Sequence, residues 1–137
     1  MIQDVRMIDL PRYLDSRGNL SFIEEDIHFP FKMNRVYWIY DVPGGEYRGG
    51  HGFKETEELI VALSGSFDIV LNEGKKNHRY HLNRSYYGLY VPSMIWRRLE
   101  NFSTNSLALI LASTPYKEED YIRDFKQFKK MKSTNDR

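Results

Sequence analysis

The chain has 137 residues, 41% of them hydrophobic, 15% aromatic and 28% charged, which fits one folded globular domain and excludes a disordered or membrane-embedded chain. A formal net charge of +1 provides no broad positive field for gathering phosphates, so nucleic acid is not an expected partner and any anion site must be local. The absence of cysteine excludes disulfides, thiolate metal ligands and a thiol nucleophile.

Taken in chain order, residues 2–10 place Ile2, Val5, Met7, Ile8 and Leu10 in imperfect alternation with polar side chains, which predicts a strand ended by Pro11. The acidic residues here do not fit the apolar core of a secretory signal, and no later run is long enough to span a membrane. The expected location is the cytoplasm. The run Asp15-Ser16-Arg17-Gly18 between apolar flanks predicts a hairpin turn, with Arg17 as either a solvated turn residue or an anion donor.

Residues 35–42, RVYWIYDV, are β-branched and aromatic with no polar alternation from Val36 to Tyr40, which predicts a strand covered on both faces. Pro43-Gly44-Gly45 opens a loop that Arg48-Gly49-Gly50 carries up to His51. LIVALSG and SFDIVL predict two strands joined tightly at Gly65. Beyond the turn NEGKK, the runs RYHL, YYGLYV, IWRR and SLALILAS supply further strands, with Pro92 as a break. From Lys117 the period changes, since Tyr121, Phe125 and Phe128 recur at helical spacing behind acidic Glu118, Glu119 and Asp120, which predicts an amphipathic helix. The expected domain covers residues 1–132, with 133–137 as a frayed tail. Many short strands with Gly/Pro turns and one terminal helix point to an all-β antiparallel sandwich or jelly roll with a C-terminal α-helix.

The ten tyrosines suit a pocket that stacks rings and hydrogen-bonds hydroxyls, and they suit a Tyr-rich core equally well. His51 is the natural candidate for acid/base work, because its unperturbed pKa lies close to neutrality.

His51-x-Phe53, followed by Glu57 or Glu58 and then Gly65, resembles the first motif of the cupin superfamily, in which two histidines and a glutamate hold a metal. Phe53 stands where the second histidine belongs, and GLYVPSMIWRR, which resembles the second motif, has Trp96 and Arg97 in place of a further histidine. A protein metal site needs three or four converging donors. His28, His78 and His81 lie elsewhere in the chain, so no metal and no cofactor is expected.

A closer likeness covers nearly the whole chain. The strings DSRGNL, RVYWIYDVP, RGGHGFKETEELIVALSGSFDIVL, GLYVPSMIWRRLENFS and LASTPYKEEDYIRDF together resemble the nucleotide-sugar 3,4-ketoisomerases, cupin enzymes acting on dTDP-4-keto-6-deoxy-glucose. The resemblance implies an RmlC-like jelly roll, a homodimer with exchanged N-terminal strands, and a role in deoxyamino-sugar synthesis. It implies His51 as the acid/base, with Phe53 and Arg97 at two positions where the family has histidine.

The reaction moves a carbonyl from C4 to C3 through an enediol, so one imidazole on one sugar face could both take and return the proton. Tyr37 is the expected hydroxyl acid, though its strand makes it a plausible core residue too. Arg48, Lys54, Arg97 and Arg17 are the candidate donors to enediolate and diphosphate oxygens, and Tyr90 and Trp96 the candidate stacking surfaces. A sugar-nucleotide epimerase of the same fold and a non-catalytic sugar- or nucleotide-binding cupin are the two alternative readings.

Overall fold

The computed structural model describes residues 4–135, arranged as two five-stranded antiparallel sheets, a separate hairpin and one α-helix. The strands are β1 (Arg6–Asp9), β2 (Arg12–Tyr13), β3 (Leu20–Ser21), β4 (Arg35–Tyr40), β5 (Arg48–Phe53), β6 (Glu58–Ser64), β7 (Phe67–Asn72), β8 (Asn77–Leu82), β9 (Tyr87–Val91), β10 (Trp96–Glu100), β11 (Leu107–Ala112) and β12 (Tyr121–Ile122). One sheet runs β1-β9-β6-β11-β4 and the other β12-β5-β10-β7-β8, with β2 and β3 paired by themselves. This is the jelly roll expected from the strand pattern. Among the described residues no helix is long and apolar enough to cross a membrane.

The apolar runs fill two layers. Ile60 and Ala62 of β6 point between the sheets with Ile69, Leu71, Leu89, Leu99 and Ile110, while Leu59 and Val61 point outward under Phe29, Phe31 and Leu10. The N-terminal segment thus covers the part of the first sheet's outer face formed by Leu59, Val61, Tyr90 and Leu111, and this is why β6 tolerates a long hydrophobic run. Burying a Leu or Ile side chain of this kind contributes about 1.5–3 kcal/mol. Gly65 has φ of 67°, and a Cβ there would meet Ser103 Oγ at 2.5 Å, so the β6–β7 turn admits glycine alone.

Residues 48–50, expected as loop up to His51, instead open β5, and three further expectations change. The first concerns β4, expected to be covered on both faces: it alternates, with Tyr37 and Ile39 turned inward while Val36, Trp38 and Tyr40 are 40%, 57% and 61% exposed. The C-terminal helix is α1 (Phe125–Asn135), and it starts at Phe125 instead of Lys117. Glu118–Asp120 form a single 3₁₀ turn, and Tyr121–Ile122 extend instead, because they pair with Phe53 and Gly52 at the edge of β5. Asp120 is held by the Glu55 and Thr56 amides, which fixes that turn against the β5–β6 loop. Lastly, the tail expected from residue 133 is helical through Asn135, and residues 136–137, like Ile2 of the first predicted strand, lie outside the described residues.

Candidate active site

β5 carries His51 opposite Arg97 of β10, and Arg48 opposite Leu99. Two residues of β10 therefore span three of β5, a bulge at Gly49 and Gly50. Gly49 has φ of 68°, the left-handed conformation such a bulge uses. Plain alternation would send Arg48 and His51 to opposite faces; the bulge returns both to the face that carries Arg97 and Leu99. The bulge backbone is pressed against the site, since a Cβ on Gly49 would lie 2.4 Å from Arg97 Nη1 and 3.7 Å from His51 Nε2.

Arg97 is 1% exposed and ties the two sheets together. Its Nε donates to Glu58 Oε1 at 2.7 Å and its Nη2 to Glu58 Oε2 at 3.1 Å, across from β10 to β6. Nη2 also donates to the Tyr37 hydroxyl at 2.7 Å, and Nη1 to the Gly49 carbonyl at 3.1 Å. The Tyr37 hydroxyl in turn donates to Glu58 Oε2. Burial pulls the Arg97 pKa down, but the Glu58 carboxylate and Tyr37 outweigh it and hold the guanidinium charged. Burial pushes Tyr37 well above its ordinary value; Arg97 opposes this and Glu58 adds to it. Tyr37 is thus a protonated hydroxyl at neutral pH.

His51 is 7% exposed, with the rings of Phe53 and Tyr121 edge-on at centroid distances of 4.7 and 4.9 Å. Burial, then the guanidinium groups of Arg97, Arg123 and Arg35, push its pKa down to about 2. The imidazole is neutral, and its buried Nδ1 makes no hydrogen bond. A buried polar atom without a partner costs about 1–3 kcal/mol, so a ligand that supplies one is favoured.

The donor set does not fit a metal. Phe53 is a hydrocarbon, and both oxygens of Glu58 are occupied by Arg97, whose cation stands against the carboxylate that a cupin metal would use. Among the described residues no group of three or more His, Asp or Glu converges to hold an ion.

The structure brings His51, Tyr37 and Arg97 together, with Arg48 on the same face of β5 but exposed at its start. Lys54 is exposed beyond the end of β5, one residue past inward-facing Phe53, and so alternation turns it away. Arg17 sits at the β2–β3 turn, its side chain 88% exposed and hydrogen-bonded to Asp15 at 2.7 Å. Tyr90 faces the outer layer, between Leu89 and Val91 that face inward, and its hydroxyl donates to Glu57. Trp96 lies on the outer face of β10 and packs on Phe125 and Phe128 of α1. Neither aromatic ring can flank His51 from there.

Sequence reasoning missed three residues. Glu58 stood only as a possible metal donor, yet a carboxylate directly before the apolar run of residues 59–63 signals a buried cation, which is Arg97. Tyr121 was hidden by its helical spacing. Arg35 was hidden at the edge of an apolar run; its Nη1 donates to the Tyr121 hydroxyl at 3.3 Å, and its guanidinium lies 5.4 Å from the Tyr37 ring centroid.

The family described as "FdtA: WxcM-like, C-terminal" matches residues 3–133. The TDP-4-oxo-6-deoxy-alpha-D-glucose-3,4-oxoisomerase of Aneurinibacillus thermoaerophilus is 39% identical over 125 residues, covering 91% of this chain and 90% of that protein. A crystal structure of a 3,4-ketoisomerase from Helicobacter canadensis superposes with a TM-score of 0.92 at 37% identity, covering 95% of this chain and 98% of that one. The 3,4-ketoisomerase QdtA from Thermoanaerobacterium thermosaccharolyticum was crystallised as a histidine-to-asparagine mutant in complex with TDP-4-keto-6-deoxyglucose. It superposes with a TM-score of 0.95 at 31% identity, covering 98% and 97% of the two chains. With the match running over nearly its whole length, the chain belongs to the FdtA family, WxcM-like, C-terminal.

Proposed function

We propose that the protein is an isomerase that converts TDP-4-keto-6-deoxy-glucose to a TDP-3-keto-6-deoxy-hexose, acting in the cytoplasm in the synthesis of deoxyamino sugars. The observation that carries this reading is a buried, neutral imidazole with a ring nitrogen free, beside a half-buried phenol and a buried guanidinium. His51 takes the C3 proton as the O4 carbonyl gains one, giving the enediol. The imidazolium then returns its proton to C4 while O3 loses its own, which leaves the carbonyl at C3. Tyr37, protonated and hydrogen-bonded to Glu58, is the group that exchanges protons with these oxygens. Arg97 holds the phenol and the carboxylate in place, and its positive charge favours the developing enediolate.

We further propose a homodimer. Val36, Trp38, Tyr40 and Leu63 expose large apolar side chains on the outer face of the first sheet, and a cluster of this kind favours contact with another protein surface. Exchange of N-terminal strands would keep the pairing of β1 with β9 and move it to the partner's β9.

The test is to incubate purified protein with TDP-4-keto-6-deoxyglucose in heavy water and follow C3 and C4 by NMR. The expected result is a product with its carbonyl at C3 and deuterium at C4, together with deuterium at C3 of the remaining substrate. Exchange with the carbonyl still at C4 would make the protein an epimerase, and binding of TDP without exchange would make it a binding module.

A further inference from the structure

Three guanidinium groups surround His51 and Tyr121, and they differ in whether their charge is already spent. Arg97 is bound at two points by Glu58. Arg123 lies over the Tyr121 ring at 4.3 Å and is bound at two points by Glu118, at 2.6 and 2.9 Å. Arg35 meets no carboxylate among the described residues. Its contacts are the Tyr121 hydroxyl at 3.3 Å and the ring faces of Tyr37 and Tyr116, and its buried Nε makes no hydrogen bond. The nearby acid is taken, because Glu118 accepts from Tyr116 at 2.5 Å as well as from Arg123. A half-buried guanidinium with donors left over and no counter-ion is incomplete without an anion.

The location narrows which anion. Arg35 opens β4, two residues before Tyr37 on the same face, and Tyr116 beside it is 60% exposed. It therefore stands at the mouth of the site, whereas Tyr37, Glu58 and Arg97 line the interior. A sugar entering so that C3 reaches His51 leaves its diphosphate at such a mouth. We propose that Arg35 is the residue that binds the diphosphate of the nucleotide sugar, a role that rests on the ketoisomerase reading above. Its planar fork suits two phosphate oxygens at once. Binding also has a chemical consequence: a diphosphate against Arg35 cancels one of the positive charges that weaken His51 as a base, so substrate arrival strengthens it.

The test compares the wild type with Arg35→Gln and Arg35→Lys, titrating each with TDP by calorimetry and with thymidine by NMR. Losing a charge-assisted contact is expected to weaken TDP binding by roughly ten- to a hundred-fold in Arg35→Gln. Thymidine affinity should stay unchanged, which also reports that the variant is folded, and Arg35→Lys should recover part of the loss. In turnover, KM should rise by more than kcat falls. Unchanged TDP affinity in Arg35→Gln overturns the assignment. So does a lost kcat with TDP affinity intact, which would put Arg35 at the enediolate. If the ketoisomerase reading itself is wrong, the wild type isomerises nothing, a result no Arg35 variant can mimic.

Discussion

Arg97 and Glu58 come from opposite sheets and meet at two points inside the roll, Nε to Oε1 at 2.7 Å and Nη2 to Oε2 at 3.1 Å, each side chain 1% exposed. Desolvation offsets much of the attraction in such a pair, yet removal of one partner leaves an uncompensated charge in the interior. Glu58→Gln or Arg97→Met is expected to cost about 3–5 kcal/mol of stability. The double variant should cost less than the two losses added, because the second change removes the stranded charge. Urea denaturation measures all three. Additive losses would mean that the two groups do not act as a pair.

The second prediction concerns pH. His51 has an ordinary value of 6.5 and is pushed to about 2 in the folded chain by burial and by Arg97, Arg123 and Arg35. The unfolded chain therefore binds a proton that the folded one refuses. The stabilising contribution is full above pH 6.5 and drains away as pH falls from there towards about 2. The Tm of the wild type should fall more steeply between about pH 7 and about pH 4 than that of His51→Asn. Parallel curves would rule out a strongly depressed His51. For the same reason kcat/KM, which reports the free enzyme, should show no acid limb near 6.5.

The legible part of this chain was its strands. Alternation and turn residues marked β6 to β11, and the motif around His51 and Gly65 pointed to a jelly roll. What failed did so for two physical reasons, and one success rested on a feature beyond simple alternation. Tyr121 and Phe125 have helical spacing, but edge pairing with Gly52 and Phe53 decides for a strand, and one sequence shows no pairing partner. Tyr90 and Trp96 are aromatic residues on strands next to site residues, yet the period of two turns both of them to the outer faces. Arg48 shares the face of His51 only because Gly49 makes a bulge, and two consecutive glycines before the histidine were the available sign of it.

That bulge yields a third prediction. In Gly49→Ala the residue must keep φ near 68°, a left-handed conformation that costs a non-glycine residue roughly 1–2 kcal/mol. Its Cβ would also fall 2.4 Å from Arg97 Nη1, and the guanidinium cannot retreat without releasing Glu58 or Tyr37. Turnover is expected to drop by at least about tenfold, since displacement of a positioned group by 1 Å can cost roughly a hundredfold. Gly44→Ala, where a Cβ meets nothing within 4 Å, should leave both stability and kcat unchanged. Equal behaviour of the two variants would separate the bulge from the chemistry.

The fourth prediction tests the proposed dimer. Trp38 and Tyr40 of β4 sit beside Leu109 and Leu107 of β11, and with Leu63 they form an apolar patch on the outer face of the first sheet. Because Trp38 is 57% exposed in the single chain, Trp38→Arg leaves the fold intact but puts a charge in the centre of any interface built there. A buried tryptophan at such a position contributes about 2–4 kcal/mol, so dimer dissociation should strengthen by roughly 30- to 1000-fold. Sedimentation velocity across a dilution series reads this directly, and a wild type that sediments as a monomer throughout would end the proposal. Strand exchange makes a further demand, because a swapped dimer separates only when β1 leaves β9, a strand pairing of four residues. Two differently tagged wild-type dimers should then trade subunits slowly, on the timescale of partial unfolding. Rapid trading would leave the face-to-face contact standing and remove the exchange.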